Sequence, residues 1–201
     1  MTIQSVFFDL GGVMLRTEYQ APREHLAERL GLSYEELVGL VFDSESSRRA
    51  SVGEIQPQEH WEAVARRLGI AREEIPALRE EFFGGDVLDR ELLRLIRSLR
   101  PARKTGLISN AWLDGRDYAL RNGFADAFDA LIFSAEAGLV KPDPAIFQLA
   151  LKALDTVPER AVMVDDFAEN VEAARAVGMH GILFRNPEAA LSELRGLLGL
   201  P

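Results

Sequence analysis

The sequence contains no cysteine. This absence excludes disulfide bonds, zinc sites built from thiolates and cysteine nucleophiles. Basic residues are also in deficit, since 23 lysine and arginine residues stand against 32 aspartate and glutamate residues, for a formal net charge of −9. Proteins that bind nucleic acid normally present a basic face, so this balance disfavours a nucleic-acid partner.

Long hydrophobic runs are missing as well. No stretch approaches the ~20 consecutive apolar residues that a membrane helix needs. The start, MTIQSVFFDL, lacks the basic segment and the long apolar core of a secretory signal. We therefore expect a soluble cytoplasmic protein with no membrane partner. The sequence does not indicate whether the protein is a monomer or an oligomer. A glycine-rich loop of the Walker type is also absent, which excludes phosphate binding in the manner of P-loop ATPases.

What the sequence does contain is a series of short apolar runs separated by helical patterns. Strand, helix, strand, helix from about residue 89 onward predicts a parallel sheet covered on both faces, a Rossmann-like α/β core. The predicted helices read DRELLRLIRSLR, DPAIFQLALKAL and AENVEAARAVG, the last of which ends at Gly178. The predicted strands read SVFFDL, KTGLISN, ALIFS, RAVMVDD and HGILFRN.

Residues 17–85 differ, because they show helical periodicity and no convincing strand. We predict an all-helical domain here, inserted after the first strand of a core domain made of residues 1–16 and 86–201. The segment DSESSRRASVGEI within the insertion is assigned to turns. The Gly84-Gly85 pair is the predicted return hinge.

Polar residues stand at or near the ends of the predicted strands, where parallel sheets bind ligands. Two carboxylates with backbone oxygens can hold Mg²⁺, which prefers hard oxygen ligands. A lysine and hydroxyl or backbone donors can bind phosphate oxygens, and an aspartate can attack phosphorus. The residues in question are Asp9, Ser109, Asn110, Lys141, Asp165 and Asp166.

These segments, in this order and at roughly this spacing, resemble the four signature motifs of the haloacid dehalogenase superfamily, in its phosphatase-like branch. The resemblance spans Val6 to about Phe184, and the helical insertion is similar to the cap of those enzymes. It implies that Asp9 is the nucleophile that forms an aspartyl-phosphate. It further implies that Ser109 and the Asn110 backbone bind the phosphoryl group, and that Lys141 pairs with Asp9 and the phosphate.

The resemblance also implies a magnesium site. Its ligands would be Asp9, Asp166 and the backbone carbonyl of Gly11. In the commoner form of the last motif a glycine precedes the metal-binding aspartate, whereas Asp165 stands here. We hypothesise that Asp165 adds negative charge near the metal, through a bound water.

A second position also departs from the family pattern. The family's second aspartate, the general acid and base, is replaced by Gly11, and such catalysis typically contributes about 10²- to 10⁴-fold. Three explanations stay open: substrates with good leaving groups such as acyl phosphates or sugar 1-phosphates, an acid supplied by the insertion, or vestigial turnover. The candidate acids in the insertion are Glu18, His25, Glu45 and His60.

The sequence thus predicts a Mg²⁺-dependent phosphomonoesterase that acts on a small phosphorylated metabolite, with a sugar phosphate as the first candidate. One alternative is a 2-haloacid dehalogenase, which needs no metal and typically carries an aromatic residue at the position of Gly11. The other is a non-catalytic module that binds phosphorylated metabolites.

Overall fold

A computed structural model describes residues 2–200, and its centre is a sheet of five parallel strands. A separate two-stranded antiparallel ribbon lies between the first and second strands of that sheet along the chain. The parallel strands are β1 (Ser5–Phe8), β4 (Lys104–Ser109), β5 (Ala130–Phe133), β6 (Ala161–Asp165) and β7 (His180–Leu183), and the ribbon consists of β2 (Leu15–Thr17) and β3 (Asp86–Leu88).

The strand that begins the chain lies in the middle of the sheet. The order is β5-β4-β1-β6-β7, and all four pairings are parallel. Phe8 of β1 lies opposite Leu107 of β4 on one side and Val164 of β6 on the other. All five predicted strands and the Rossmann-like α/β fold are confirmed.

Eleven α-helices connect or cover these strands within residues 2–200. None of them has the length and apolar composition to cross a membrane. The helices are α1 (Ala21–Leu30), α2 (Tyr34–Phe42), α3 (Glu45–Ser51), α4 (Pro57–Leu68), α5 (Ile75–Phe83), α6 (Arg90–Ser98), α7 (Gly115–Arg121), α8 (Ser134–Ala137), α9 (Pro144–Ala153), α10 (Ala168–Ala176) and α11 (Pro187–Leu198).

Helices pack on both faces of the sheet because each central strand is apolar on both sides. Side chains alternate along a strand, so Val6 and Phe8 join one hydrophobic cluster while Phe7 joins the other. All three are fully buried. Burial on both faces leaves the strand ends as the places where β1 can present polar groups.

Helices α1 to α5 surround a hydrophobic cluster of their own, with Trp61 and Phe82 fully buried in it. Helix α3 was not predicted, because residues 43–55 were assigned to turns. Its sequence, ESSRRAS, has little apolar periodicity, and the helix begins where the Ser44 hydroxyl accepts a hydrogen bond from the Ser47 amide.

The β2–β3 ribbon, which joins these helices to the core, was also not predicted. Strands of three residues are too short to show a two-residue hydrophobic period. A buried arginine secures the ribbon to the helices: Arg23 of α1 donates to both carboxylate oxygens of Asp86 at 2.8 and 2.9 Å and to the Phe82 carbonyl at 2.7 Å. Its guanidinium also lies 4.4 Å from the centre of the Phe82 ring.

Candidate active site

Three strands bring carboxylate and hydroxyl groups to one edge of the sheet. Asp9 follows β1, Ser109 ends β4 and Asp165 ends β6, and all three side chains are buried. The Asp9 amide donates to the Val164 carbonyl at 2.9 Å, so the ladder holds the backbone of Asp9 in place. Because β1 lies between β4 and β6, these groups line the crevice where parallel sheets bind ligands.

Lys141 enters this crevice from the loop between α8 and α9. Its backbone is clamped by the Asn110 side chain, whose Oδ1 accepts from the Lys141 amide at 2.8 Å and whose Nδ2 donates to the Lys141 carbonyl at 2.9 Å. The Lys141 Nζ lies 2.8 Å from Asp9 Oδ1 and 2.6 Å from Asp165 Oδ2. The predicted pairing of Lys141 with Asp9 is therefore present in the structure, and Asp165 is a second partner.

Burial and the ion pairs act in opposite directions on the pKa values of Lys141 and Asp9. Burial by itself would lower the pKa of Lys141, but the charges of Asp9 and Asp165 raise that pKa above its ordinary value. Lys141 is therefore charged at neutral pH. Burial raises the pKa of Asp9 to about 7, although the Lys141 charge opposes this effect. A cation bound beside Asp9 would lower that pKa again.

An acidic cluster adjoins the lysine. Asp9, Asp165 and Asp166 each have a carboxylate oxygen within 4.8 Å of the others. Oδ1 of Asp166 is buried without a hydrogen-bond partner, and burial, followed by the Asp165 charge, raises the pKa of Asp166 to about 6. Buried polar atoms normally have a partner, so an oxygen set of this kind fits a hard cation such as Mg²⁺.

Asp165 is the most heavily hydrogen-bonded member of the cluster. Besides the contact with Lys141, its Oδ1 accepts from the Phe167 amide and from Asn170 Nδ2, both at 2.9 Å. The role of Asn170 as a buried donor was not predicted from the sequence. The Asp165 charge lies near the predicted metal position, while both of its oxygens accept hydrogen bonds from the protein.

A tight turn after β1 brings the chain against Asp166. Gly12 has φ +74°, and a Cβ built there would lie 2.0 Å from Asp166 Oδ2, so no other residue fits without displacing that carboxylate. Gly11 is different: it is exposed, and a Cβ at this position would have no atom within 4 Å. The absence of a side chain at Gly11 is therefore not a steric requirement of the turn.

The four candidate acids of the insertion lie in different environments. Glu18, His25 and Glu45 are exposed. His60 is completely buried, with Nδ1 2.9 Å from the Ser46 hydroxyl and its ring centre 4.6 Å from that of Trp112. Burial lowers the pKa of His60 to about 4. This imidazole is therefore neutral at physiological pH and is not a proton donor there.

Comparison with known proteins agrees with this geometry. A family model described as haloacid dehalogenase-like hydrolase matches residues 3–178. A sesquiterpene phosphatase of Aspergillus oryzae is 29% identical over 98% of both chains. A phosphatase of Mycobacterium tuberculosis is 30% identical over 91% of this chain and 88% of its own. The chain also matches rat bifunctional epoxide hydrolase 2 at 27% identity, but it spans only 39% of that protein's length.

Solved structures show the same fold. A HAD family enzyme from Bacteroides thetaiotaomicron, crystallised with magnesium and inorganic phosphate, superposes with a TM-score of 0.72 at 21% identity, covering 90% of this chain and 93% of its own. Since the family model alone covers most of the chain, this protein belongs to the haloacid dehalogenase-like hydrolases.

Proposed function

We propose that this protein is a Mg²⁺-dependent phosphomonoesterase that acts on a small phosphorylated metabolite through Asp9. The observation that carries the proposal is the buried set at the end of β1: Asp9 bound to Lys141, beside an Asp166 oxygen that has no partner. This combination provides a nucleophile, a fixed positive charge and a carboxylate oxygen that can bind a cation, all within one crevice. Phosphoryl transfer needs these three.

In this proposal one residue attacks phosphorus and others stabilise the charge on the phosphoryl group. A carboxylate oxygen of Asp9 attacks phosphorus and forms an aspartyl-phosphate, which water then hydrolyses. Lys141 neutralises charge on the phosphoryl oxygens, and Ser109 with the Asn110 backbone binds the same group. The Asn110 side chain contributes indirectly, because both of its polar atoms hold the backbone of Lys141.

The residues that would hold the metal are Asp9, Asp166 and the carbonyl of Gly11, with Asp165 adding charge nearby. Bound there, Mg²⁺ would polarise the phosphoryl group and offset the negative charge of the cluster. The unpartnered Asp166 oxygen supports this assignment and disfavours a 2-haloacid dehalogenase. The phosphatases named among the relatives support a phosphorylated substrate. Within that class we keep a sugar phosphate as the first candidate.

The helices between β2 and β3 support the proposed cap domain, residues 17–85, set on a core of residues 1–16 and 86–201. Two contacts join them to the loop that follows Ser109. Trp112 packs into the hydrophobic cluster of the insertion, and Arg79 of α5 lies 2.8 Å from an Asp114 oxygen. A domain held there can cover the crevice and exclude water, as lids commonly do.

Phosphate release from a panel of sugar phosphates, acyl phosphates and p-nitrophenyl phosphate tests the function. We expect turnover that requires Mg²⁺ and is abolished by chelator and by Asp9→Asn. Asp117→Asn, on the exposed surface of α7, is the matched control and should retain wild-type rates. Turnover that survives Asp9→Asn would overturn the proposal. Chloride release from 2-haloacids without metal would instead establish the dehalogenase.

A further inference from the structure

Each ionisable side chain at the candidate site already has a protein partner or a proposed role other than proton donation to the leaving group. Asp9 is the proposed nucleophile, and Lys141 is held between two carboxylates. Asp165 accepts three hydrogen bonds from the protein, and Asp166 presents its free oxygen to the proposed cation. None of these four groups is available to give a proton to the oxygen that departs from phosphorus.

The turn after Asp9 leaves open the space where a proton donor would be expected. Gly11 lies two residues beyond Asp9 and is exposed, and apart from its own atoms and its two chain neighbours no atom of the described residues lies within 4 Å of where its Cβ would be. Its φ lies outside the left-handed region, so a larger side chain fits without backbone strain. The protein therefore places no proton donor of its own at this position.

Within the described residues, none of the candidate acids first considered in the insertion forms a hydrogen bond or ion pair with these four groups. A general acid at neutral pH needs a pKa near that pH and a position within hydrogen-bond reach of the leaving oxygen. Glu18 and Glu45 are exposed, and Glu18 also accepts a hydrogen bond from Arg16 at 2.9 Å. His25 is exposed on α1. His60 is fully buried against Ser46 and Trp112 and has no contact with solvent.

We propose that the substrates are phosphates whose leaving oxygen departs as an anion without protonation: acyl phosphates and anomeric sugar phosphates rather than phosphates of simple alcohols. This inference rests on the proposed function. In the first step the Asp9 oxygen bonds to phosphorus, the bond from phosphorus to the leaving oxygen breaks, and that oxygen keeps the electron pair. In the second step water bonds to phosphorus, Asp9 leaves as carboxylate, and both protons of the water remain on the released phosphate.

The test compares kcat/KM with Mg²⁺ for acetyl phosphate, a series of aryl phosphates of decreasing phenol acidity, and glycerol phosphate. For the wild type we expect a steep fall along this series, with glycerol phosphate at least about 100-fold below acetyl phosphate. Gly11→Asp places a carboxyl group in the open space. It should raise the ratio of the glycerol phosphate rate to the acetyl phosphate rate by at least about tenfold.

Gly11→Asn is the matched control, because it has the same shape and cannot act as an acid. Its substrate ratio should stay at the wild-type value. If the wild type hydrolyses glycerol phosphate with the same kcat/KM as acetyl phosphate, the inference is wrong while the proposed phosphatase function stands. A ratio that rises equally in both variants would also overturn it. If no substrate releases phosphate, the proposed function fails and the inference fails with it.

Discussion

At the scale of single residues, Lys141 connects Asp9, the proposed nucleophile, to Asp165. It is 4% exposed and contacts carboxylates on two different strand ends. We expect Lys141→Ala to lower phosphatase activity at least about 100-fold, because the phosphoryl oxygens lose a fixed positive charge. The variant should also lose about 3 kcal/mol of unfolding free energy, because two buried carboxylates lose their counter-charge. Phosphate release and urea unfolding measure the two effects.

Lys152→Ala provides the comparison for this experiment. Lys152 is exposed in the last turn of α9, in the helix that follows Lys141. Its removal should change both activity and stability little. Wild-type activity in Lys141→Ala would contradict the proposed role of Lys141 in charge stabilisation. If that variant also lost stability, Lys141 would have a structural role only.

The sequence predicted which residues meet at the site but not how they are connected. Asp9, Ser109 and Asp165 were placed together because parallel strands end at the same edge of a sheet. The clamp of Asn110 on the Lys141 backbone and the hydrogen bond from Asn170 to Asp165 were not predicted. Each joins residues from different loops or from a strand end and a helix, and such contacts depend on how the elements pack.

At the scale of elements, the turn after β1 determines how close Asp166 lies to Asp9, the proposed nucleophile. In Gly12→Ala the added Cβ would overlap the Asp166 carboxylate and push it out of the acidic cluster. We expect the apparent Mg²⁺ affinity to fall at least about tenfold. Titration calorimetry with Mg²⁺ alone measures this change without reference to catalysis.

Gly69→Ala separates the overlap from backbone strain. Gly69 ends α4 with φ +69°, close to the φ of Gly12, but no atom lies within 4 Å of its missing Cβ. Both variants should lose about 1 kcal/mol of unfolding free energy to the left-handed conformation. Only Gly12→Ala should lose Mg²⁺ affinity, and equal affinities in the two variants would show that Gly12 does not position Asp166.

At the scale of the whole molecule, His60 makes folding of the insertion sensitive to acid. Burial lowers its pKa from the ordinary 6.5 to about 4, and the Arg79 charge also disfavours protonation. Between these pH values the unfolded chain takes up a proton at His60 while the folded protein does not. Stability from this residue is therefore lost as the pH falls through that window.

We expect His60→Gln to reduce this sensitivity. Between pH 7 and pH 5 the wild type should lose about 2 kcal/mol more unfolding free energy than the variant does, because only the wild type has the buried imidazole. Urea unfolding at the two pH values measures it. The difference removes the contributions of other titrating groups, such as Asp9. His25→Gln, at an exposed position, should follow the wild-type profile, and parallel profiles for His60→Gln would contradict the prediction.

The sequence by itself determined the elements whose signal is local. Five apolar runs predicted the five strands of the sheet, and hydrophobic periodicity predicted three helices of the core and the helical character of the insertion. Helix α3 and the β2–β3 ribbon were not predicted, because neither carries an apolar period of sufficient length. Helices α7, α8 and α11 were not predicted either. The order of polar residues at the strand ends predicted the family, which the match over residues 3–178 confirmed.

Only the tertiary structure decided the environment of each group. Charge state and accessibility depend on what surrounds a side chain in space, and neighbours in space are far apart along the chain. Lys141 and Asp9, for example, are 132 positions apart by their numbering and lie 2.8 Å from each other. The structure likewise placed His60 in the interior and left the space beside Gly11 open. Packing of the elements, rather than any local pattern, produced both results.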